Sequence, residues 1–399
     1  MNASVRKLSR ARKLRKRGAH SQALATYTDL LAGTPSTSIL LETAECALKV
    51  NPELAHSLVA RAIELNPREG IAIHLAAEAQ ARMGDLLTAE KLYRQAIALN
   101  GNLAELCAFP EKSGREPWIG RFQAMPCNLC GETECEQVWI GNASKQRQCH
   151  GIIDPIKLWV KCTGCGIFRV QEPPPASSLR SYREAAYETD NQAFHKAPST
   201  NALCKELLFC DRLIERVRQV GYGENWVHRN RTPGSSPPQP RLLDVGASWG
   251  VFVAAARWRG FVAEGIDTST RAVQWARKNL GINIGLGEAT ADLPEGPFDV
   301  ITMWELLEHL ADPGAFLEAA RDQLEPGGIL AISTPSTDHP AHHAMGYDDP
   351  GWGIPDHLHY FDRRSLATML VRHGFQPMGS WYSEKTQGSI VVISQYDPS

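Results

Sequence analysis

Glu305, Glu308 and His309 stand at i, i+3 and i+4 in the run WELLEHL, the spacing that puts side chains on one face of a helical turn. Two carboxylates and an imidazole so placed form an O,O,N donor set suited to Mg²⁺ or Mn²⁺, with positions left for substrate oxygens. A bound ion could lower the pKa of an acceptor hydroxyl and fix its orientation. The same residues admit two metal-free readings. His309, or His357 or His359 in the later run PDHLHYF, could act as a general base, or Glu308 and His309 could only shape a pocket. His339, His342 and His343 share the stretch from Ser336 to Tyr360, where a lid or substrate wall would form.

A second constellation is made of thiols. Cys127-x-x-Cys130 and Cys162-x-x-Cys165 would each form a tight knuckle, and two knuckles complete a tetrahedral, structural Zn²⁺ site. The gap between them exceeds the commoner ~15–20 residues, which a hairpin insertion accommodates. A redox pair is the alternative reading, although no thioredoxin-like strand-helix context surrounds either motif. Cys135, Cys149 and His150 lie in the insertion as alternative ligands, while Cys46, Cys107, Cys204 and Cys210 are expected to be buried small hydrophobes.

The elements that must position these groups follow from pattern. From Arg241 short apolar strands alternate with helices, which implies parallel βαβ units in a doubly wound sheet. RLLDVGASWG reads as a strand ending in Asp244, then a turn with Gly246 and Gly250, then a helix closed by Gly260. Such a turn lets the backbone approach a ligand at a helix N-terminus. A dinucleotide enzyme could use it too, but Ala247 and Ser248 depart from the G-x-G-x-x-G spacing. The next strand ends in Asp267, about 20 residues on, where a carboxylate can accept both hydroxyls of a ribose.

With GLGEATADLP, GPFDVITMWELLEHLADPGAFL and LEPGGILAISTP following in order, residues 241–395 resemble the class I S-adenosylmethionine-dependent methyltransferases. The resemblance implies a Rossmann-like α/β sheet closed by a C-terminal antiparallel hairpin, YSEKTQGSIVVISQY, with Leu324 to Gly328 turning into the fifth strand. It implies that Asp244, Gly246, Ala247 and Gly250 surround the methionine portion of the cofactor, Asp267 holds the ribose, and Glu288 with Ala289 lies beside the adenine. The E-x-x-E-H run resembles the metal-binding motif of O-methyltransferases of ubiquinone biosynthesis and of small-RNA 2′-O-methylation. In the RNA family a further histidine follows the fifth strand, a place that His357 and His359 could take. The four-cysteine segment and the PPP…SLRSYREAAY stretch are similar to the zinc-ribbon preface of many bacterial methyltransferases, including sugar C-methyltransferases. Those sugar enzymes continue into a large extra domain, whereas this chain stops after the hairpin, so sugar C-methylation is not the expected reaction.

The N-terminal part carries a weak repeat. Ala23, Ala55 and Ala89, followed four residues later by Tyr27, Val59 and Tyr93, recur at offsets of 32 and 34 residues. Small residues at helix crossings with this period resemble the tetratricopeptide repeat, a partner-docking surface or a helical cap. In the second repeat Val50 takes the place of the Gly before the helix turn. The expected domains are all-α helical repeats (1–105), a four-cysteine zinc ribbon (118–175), a helical connector with the linker TPGSSPPQP (176–240), and the methyltransferase segment (241–399).

Composition bounds the partners. Lys and Arg (42) balance Asp and Glu (44), so no global charge argues for a polyanion. The basic run from Arg6 to Arg17 is local, and with no stacking platform nucleic acid is not the expected partner. No apolar stretch approaches the ~18 residues of a membrane span, and the N-terminus lacks an apolar signal core, so a cytoplasmic protein is expected. The expected acceptor is a small molecule or saccharide precursor. A protein, carrier or RNA docked by the repeats, or C- or N-methylation, is the alternative, and a non-catalytic scaffold the third.

Overall fold

The computed structural model describes residues 3–32, 36–106, 121–123, 125–142, 152–189, 197–221, 239–346, 349–384, 386 and 388–397. The chain folds as two units: residues 1–123, 135–160 and 352–355 form the first, and residues 124–134, 161–351 and 356–399 the second. Cys107, Cys149, His150 and most of the linker before Arg241 lie outside the described residues.

Six helices make up most of the described first unit: α1 (Ala3–Lys16), α2 (His20–Thr28), α3 (Thr37–Leu48), α4 (Pro52–Leu65), α5 (Gly70–Met83) and α6 (Leu86–Leu99). Their starts are set locally. Ser36, Asn51 and Asp85 each accept a hydrogen bond from the backbone N–H three residues on, and Pro52 occupies the first turn of α4, where its missing N–H costs nothing. All six aligned positions, Ala23, Ala55, Ala89, Tyr27, Val59 and Tyr93, are fully buried. The polar tips of the two tyrosines are satisfied inside the unit: Tyr27 Oη donates to Glu42 at 2.8 Å and Tyr93 Oη to Glu78 at 2.7 Å. Three cations of the basic first helix are paired here, Lys7 with Asp29, Arg12 with Glu42 and Arg15 with Glu45. Strands β1 (Arg121–Gln123), β2 (Glu134–Asn142) and β3 (Ile156–Cys162) lie side by side in that order. Among them Lys157 is buried with its Nζ on the Ile354 carbonyl at 2.6 Å.

In the second unit, β4 (Phe168–Val170), α7 (Ala176–Thr189) and α8 (Thr200–Gly221) precede the alternating region. That region runs β5 (Arg241–Val245), α9 (Val251–Trp258), β6 (Val262–Asp267), α10 (Thr270–Leu280), β7 (Gly285–Leu286), β8 (Phe298–Trp304), α11 (Pro313–Asp322), β9 (Leu324–Pro335) and α12 (Pro340–Met345). It closes with β10 (His359–Tyr360), α13 (Arg363–Arg372), β11 (Phe375–Tyr382) and β12 (Ser389–Tyr396). Its described sheet has the order β11-β12-β9-β8-β5-β6-β7, with β5 to β9 parallel and β12 antiparallel between β9 and β11. Strand β10 pairs with β4 instead.

Side-chain alternation sorts the strands onto two covered faces. Leu242, Val300, Ile329 and Val391 pack with residues of α8, α9 and α10, whereas Leu243, Ile301, Leu330 and Val392 pack with α11, α13 and the cysteine knuckles. Both faces are therefore apolar, which is why the strands read as near-continuous hydrophobic runs. The order reverses between β6 and β8 on either side of β5, so the carboxyl ends of these strands open a crevice.

Three local expectations are corrected. The segment Leu324 to Gly328 is not a turn ahead of the strand but an irregularity within β9: Leu324 pairs with Phe298 and Ile329 with Val300. Cys204 is exposed on α8, while Cys46 and Cys210 are buried. Glu305 does not begin a helical turn. Strand β8 has only just ended, Glu305 is left-handed at φ 51, and a short 3-10 turn follows at Leu307–His309.

Candidate functional site

The crevice is lined on one side by the loop after β5. Gly246 and Gly250 have φ of 74 and 73, the left-handed region that glycine enters without steric penalty. A Cβ on Gly246 would also come 2.7 Å from Leu306 Cδ2. Gly246 N and Ala247 N both donate to the Ile266 carbonyl, at 2.9 and 3.0 Å, which ties the loop to the tip of β6. Asp244 is buried at the end of β5, where Thr302 Oγ1 donates to its carboxylate at 2.7 Å. Asp267 is buried at the end of β6, accepting Ser248 N at 2.7 Å and Ser269 N at 2.8 Å. Burial pushes its carboxyl above the ordinary range, and the two N–H donors partly offset this. Glu288 and Ala289 follow β7, half-buried. All the residues expected around a cofactor thus lie on consecutive strand tips.

On the other side, beyond β8, the structure brings Glu308, His309 and His357 together, with one donor atom of each within 4.8 Å of the others. A backbone bond, Leu358 N to the Glu308 carbonyl at 2.7 Å, draws the later loop onto the 3-10 turn. Glu305 is held elsewhere: Ser389 Oγ donates to its carboxylate at 2.8 Å. His359 is also directed away. It is buried on β10 near Asn128 of the first knuckle, 3.5 Å from Nε2, and stacks on Phe361. Burial and the charge of Arg169 lower its imidazole to about 3.

Each member of the cluster has a second layer. Thr334 Oγ1 donates to Glu308 at 2.8 Å. Burial and then the charge of Glu305 still push the Glu308 carboxyl up to about 8. His309 Nδ1 lies 2.9 Å from the Asp356 carboxylate and 3.0 Å from the Asp356 carbonyl. Both are acceptors, so the proton belongs on Nδ1 and the lone pair on Nε2, which lies 3.9 Å from Glu308. Burial opposes protonation of this ring, but Asp356 outweighs it and raises the imidazole above its ordinary value. Asp356, despite burial, is held far below the carboxylate range by His309 and then His357 and Arg183. His357 Nδ1 meets Tyr360 Oη at 2.8 Å, and Tyr360 gives its one proton to the Gly351 carbonyl. The network therefore puts the His357 proton on Nδ1 as well.

Sequence reading had not singled out Asp356, Thr334, Tyr360, Ser389 or Arg183. Asp356 stands directly before the HLH run and could have been found there. Thr334 and Ser389 carry no local signal, because strand pairing alone brings them to the site.

The four cysteines meet in the second unit. Cys127 Sγ is 3.8 Å from Cys165 Sγ and Cys130 Sγ is 3.4 Å from Cys162 Sγ. A tetrahedron of sulfurs at the zinc distance of ~2.3 Å has edges of ~3.8 Å, so the spacing fits one Zn²⁺. The knuckles match each other: Gly131 N donates to the Cys127 carbonyl and Gly166 N to the Cys162 carbonyl, with both glycines at positive φ. Cys135 lies in the other unit.

Residues 217–378 match a family model described as a methyltransferase domain. The ubiquinone biosynthesis O-methyltransferase of Caulobacter vibrioides is 39% identical over 100 residues, 23% of this chain and 40% of the relative. That of Cereibacter sphaeroides is 35% identical over 151 residues, 35% of this chain and 61% of the relative. The chain thus spans 40% and 61% of the length of these two curated relatives. A solved magnesium protoporphyrin IX methyltransferase from Synechocystis, with bound S-adenosylhomocysteine, is 13% identical with a TM-score of 0.41, covering 56% of this chain and 100% of that one. Residues 217–378, which hold the parallel strands β5 to β9, are thus similar to a methyltransferase domain. Among the described residues no helix is long and apolar enough to cross a membrane.

Proposed function

We propose that the protein is an S-adenosylmethionine-dependent O-methyltransferase acting on a hydroxyl of a small molecule or saccharide-type acceptor. The observation that carries this reading is the placement of two sites on adjacent strand tips, a glycine loop with a buried ribose-type carboxylate and a carboxylate-imidazole cluster. Methyl transfer needs a nucleophile held in line with the sulfonium methyl group and relieved of its proton. In this reading Gly246, Ala247 and Gly250 admit the methionine portion to the backbone, and Asp267 accepts the ribose hydroxyls. Glu288 and Ala289 border the adenine. His309, aimed by Asp356, takes the acceptor proton at Nε2, and Glu308 with His357 orients the acceptor oxygen.

The donor set of Glu308, His309 and His357 also fits a divalent ion. Both imidazoles have their Nδ1 protons fixed by outer acceptors, the arrangement that presents Nε2 to a metal. One carboxylate and two imidazoles suit Mn²⁺, Fe²⁺ or Zn²⁺ better than Mg²⁺. Such an ion would lower the pKa of an acceptor hydroxyl. In the knuckles Cys127, Cys130, Cys162 and Cys165 would hold a structural zinc.

Calorimetry with S-adenosylmethionine, followed by S-adenosylhomocysteine release over a panel of phenolic, sugar and amine acceptors, tests the reading. Tight binding with turnover confined to hydroxyl acceptors is expected, and failure to bind the cofactor overturns it. Chelation followed by Mn²⁺ should abolish and restore turnover if a metal assists; unaffected turnover favours His309 as an unaided base.

A further inference from the structure

Helix α7 lies ahead of residues 217–378, and of its residues only Arg183 has entered so far, as a charge acting on Asp356. It is anchored by Leu179, Tyr182 and Ala186, a buried stripe at i, i+3 and i+7. Two arginines one turn apart leave that stripe for opposite sides of the crevice. Arg180 Nη2 lies 3.3 Å from the carboxylate of Glu288 on the cofactor side. Arg183 Nη2 donates to the His309 carbonyl at 2.7 Å, and its Nε lies 3.7 Å from the Asp356 carboxylate. Its charge also acts on Asp267. The two contacts differ in setting: Arg180 is well exposed at 64%, whereas Arg183 is 24% exposed and Asp356 only 11%. Water screens the first pair and screens the second much less.

We propose that α7 forms a wall of the cofactor pocket, with Arg183 as a positioning residue that fixes the His309 turn and Asp356 in register with the cofactor half, and Arg180 as a weaker tie to Glu288. This rests on the reading of the crevice as a cofactor pocket. A guanidinium suits the task because its fork reaches a backbone carbonyl and a carboxylate together from one rigid plane, which an ammonium cannot do. Removing it takes away the tie of α7 to both the His309 carbonyl and Asp356, so α7 should open more often and release ligand sooner.

The test uses the full chain and S-adenosylhomocysteine. Stopped-flow dissociation and calorimetry are run on the wild type and on Arg183→Met, Arg183→Lys and Arg180→Met, with amide exchange of residues 176–189 followed with and without ligand. Arg183→Met is expected to speed dissociation about tenfold, a change worth one tenfold step in affinity, with zinc content unchanged. Arg183→Lys should recover part of it, and Arg180→Met should change it less than threefold, as for an exposed pair. Ligand should slow amide exchange across α7 in the wild type and do so less in Arg183→Met. Dissociation and exchange in Arg183→Met within twofold of wild type would overturn the role of α7 while leaving the cofactor reading intact. A wild type that does not bind S-adenosylhomocysteine would overturn that reading, and the role of α7 with it.

Discussion

The two halves of the crevice are built by different means. The half proposed for the cofactor is made of backbone: glycines at positive φ, paired amide donors on the Ile266 carbonyl, and a carboxylate at a strand tip held by two N–H groups. The half proposed for the acceptor is made of side chains that hold other side chains, Thr334 on Glu308, Asp356 on His309, Tyr360 on His357. Backbone geometry is specified by residues a few positions apart, so it is robust and legible. The side-chain network draws two of its three pairs from distant positions, Thr334 with Glu308 across 26 residues and Asp356 with His309 across 47, so it is adjustable, and each member can be changed without unmaking the loop.

That contrast can be broken at its strongest point first. Gly246→Val puts a β-branched residue at φ 74 and a Cβ 2.7 Å from Leu306; cofactor affinity measured by calorimetry should fall by at least ~100-fold. Near-native affinity would show that the loop is not the binding element.

The next effect separates a histidine that is merely buried from one paired with a carboxylate. Burial holds His74 of the helical unit down to about 4, whereas Asp356 reverses the same penalty at His309. The unfolded chain takes up the His74 proton near pH 6.5 and the folded one near 4, so stability should drop by roughly 3 kcal/mol as pH falls through that window. Urea unfolding followed by far-UV circular dichroism at pH 7, 5.5 and 4 should show the drop in wild type and much less of it in His74→Leu.

Asp356→Asn sharpens the comparison inside the site. Methyl transfer, read as S-adenosylhomocysteine production, should fall about 10–100-fold, while cofactor affinity stays within about twofold. Equal losses in both would mean that the two halves are not separable. The smallest effect is expected of Thr334→Val, which removes the hydroxyl donor from buried Glu308 and should cost about 1–2 kcal/mol of unfolding free energy.

The legibility of the fold follows the same division. Asp244, Gly246, Gly250 and Asp267 could be assigned to strand tips because apolar runs of strand length end directly before them. The four thiols could be paired from the two C-x-x-C spacings. At Glu305 the helical spacing argument fails, since it presupposes a helix, and the chain instead leaves β8 through a left-handed residue whose N–H is taken by the Ser333 carbonyl. His357 then stands beside Glu308 because Leu358 bonds to the Glu308 backbone, a contact across 50 residues that no local pattern encodes. The two histidines in HLH are i and i+2, which a strand would put on one face; they part because β10 begins only at His359 and His357 lies in the loop before it. Arg183 was invisible for a related reason: its role depends on where α7 lies, and α7 is joined to the sheet only through α8 and a long connection.

The link from His357 through Tyr360 to the Gly351 carbonyl has a consequence for proton traffic. It ends on a backbone oxygen, which accepts a hydrogen bond but is far too weak a base to carry a proton onward. A proton arriving at this imidazole has no exit along that line, whereas the other arm ends on the Asp356 carboxylate beside the Arg183 guanidinium. The two histidines are thus unequal by wiring: His357 is hydrogen-bonded to a neutral phenol, whereas His309 is paired with a carboxylate that stabilises the imidazolium formed when it takes up a proton.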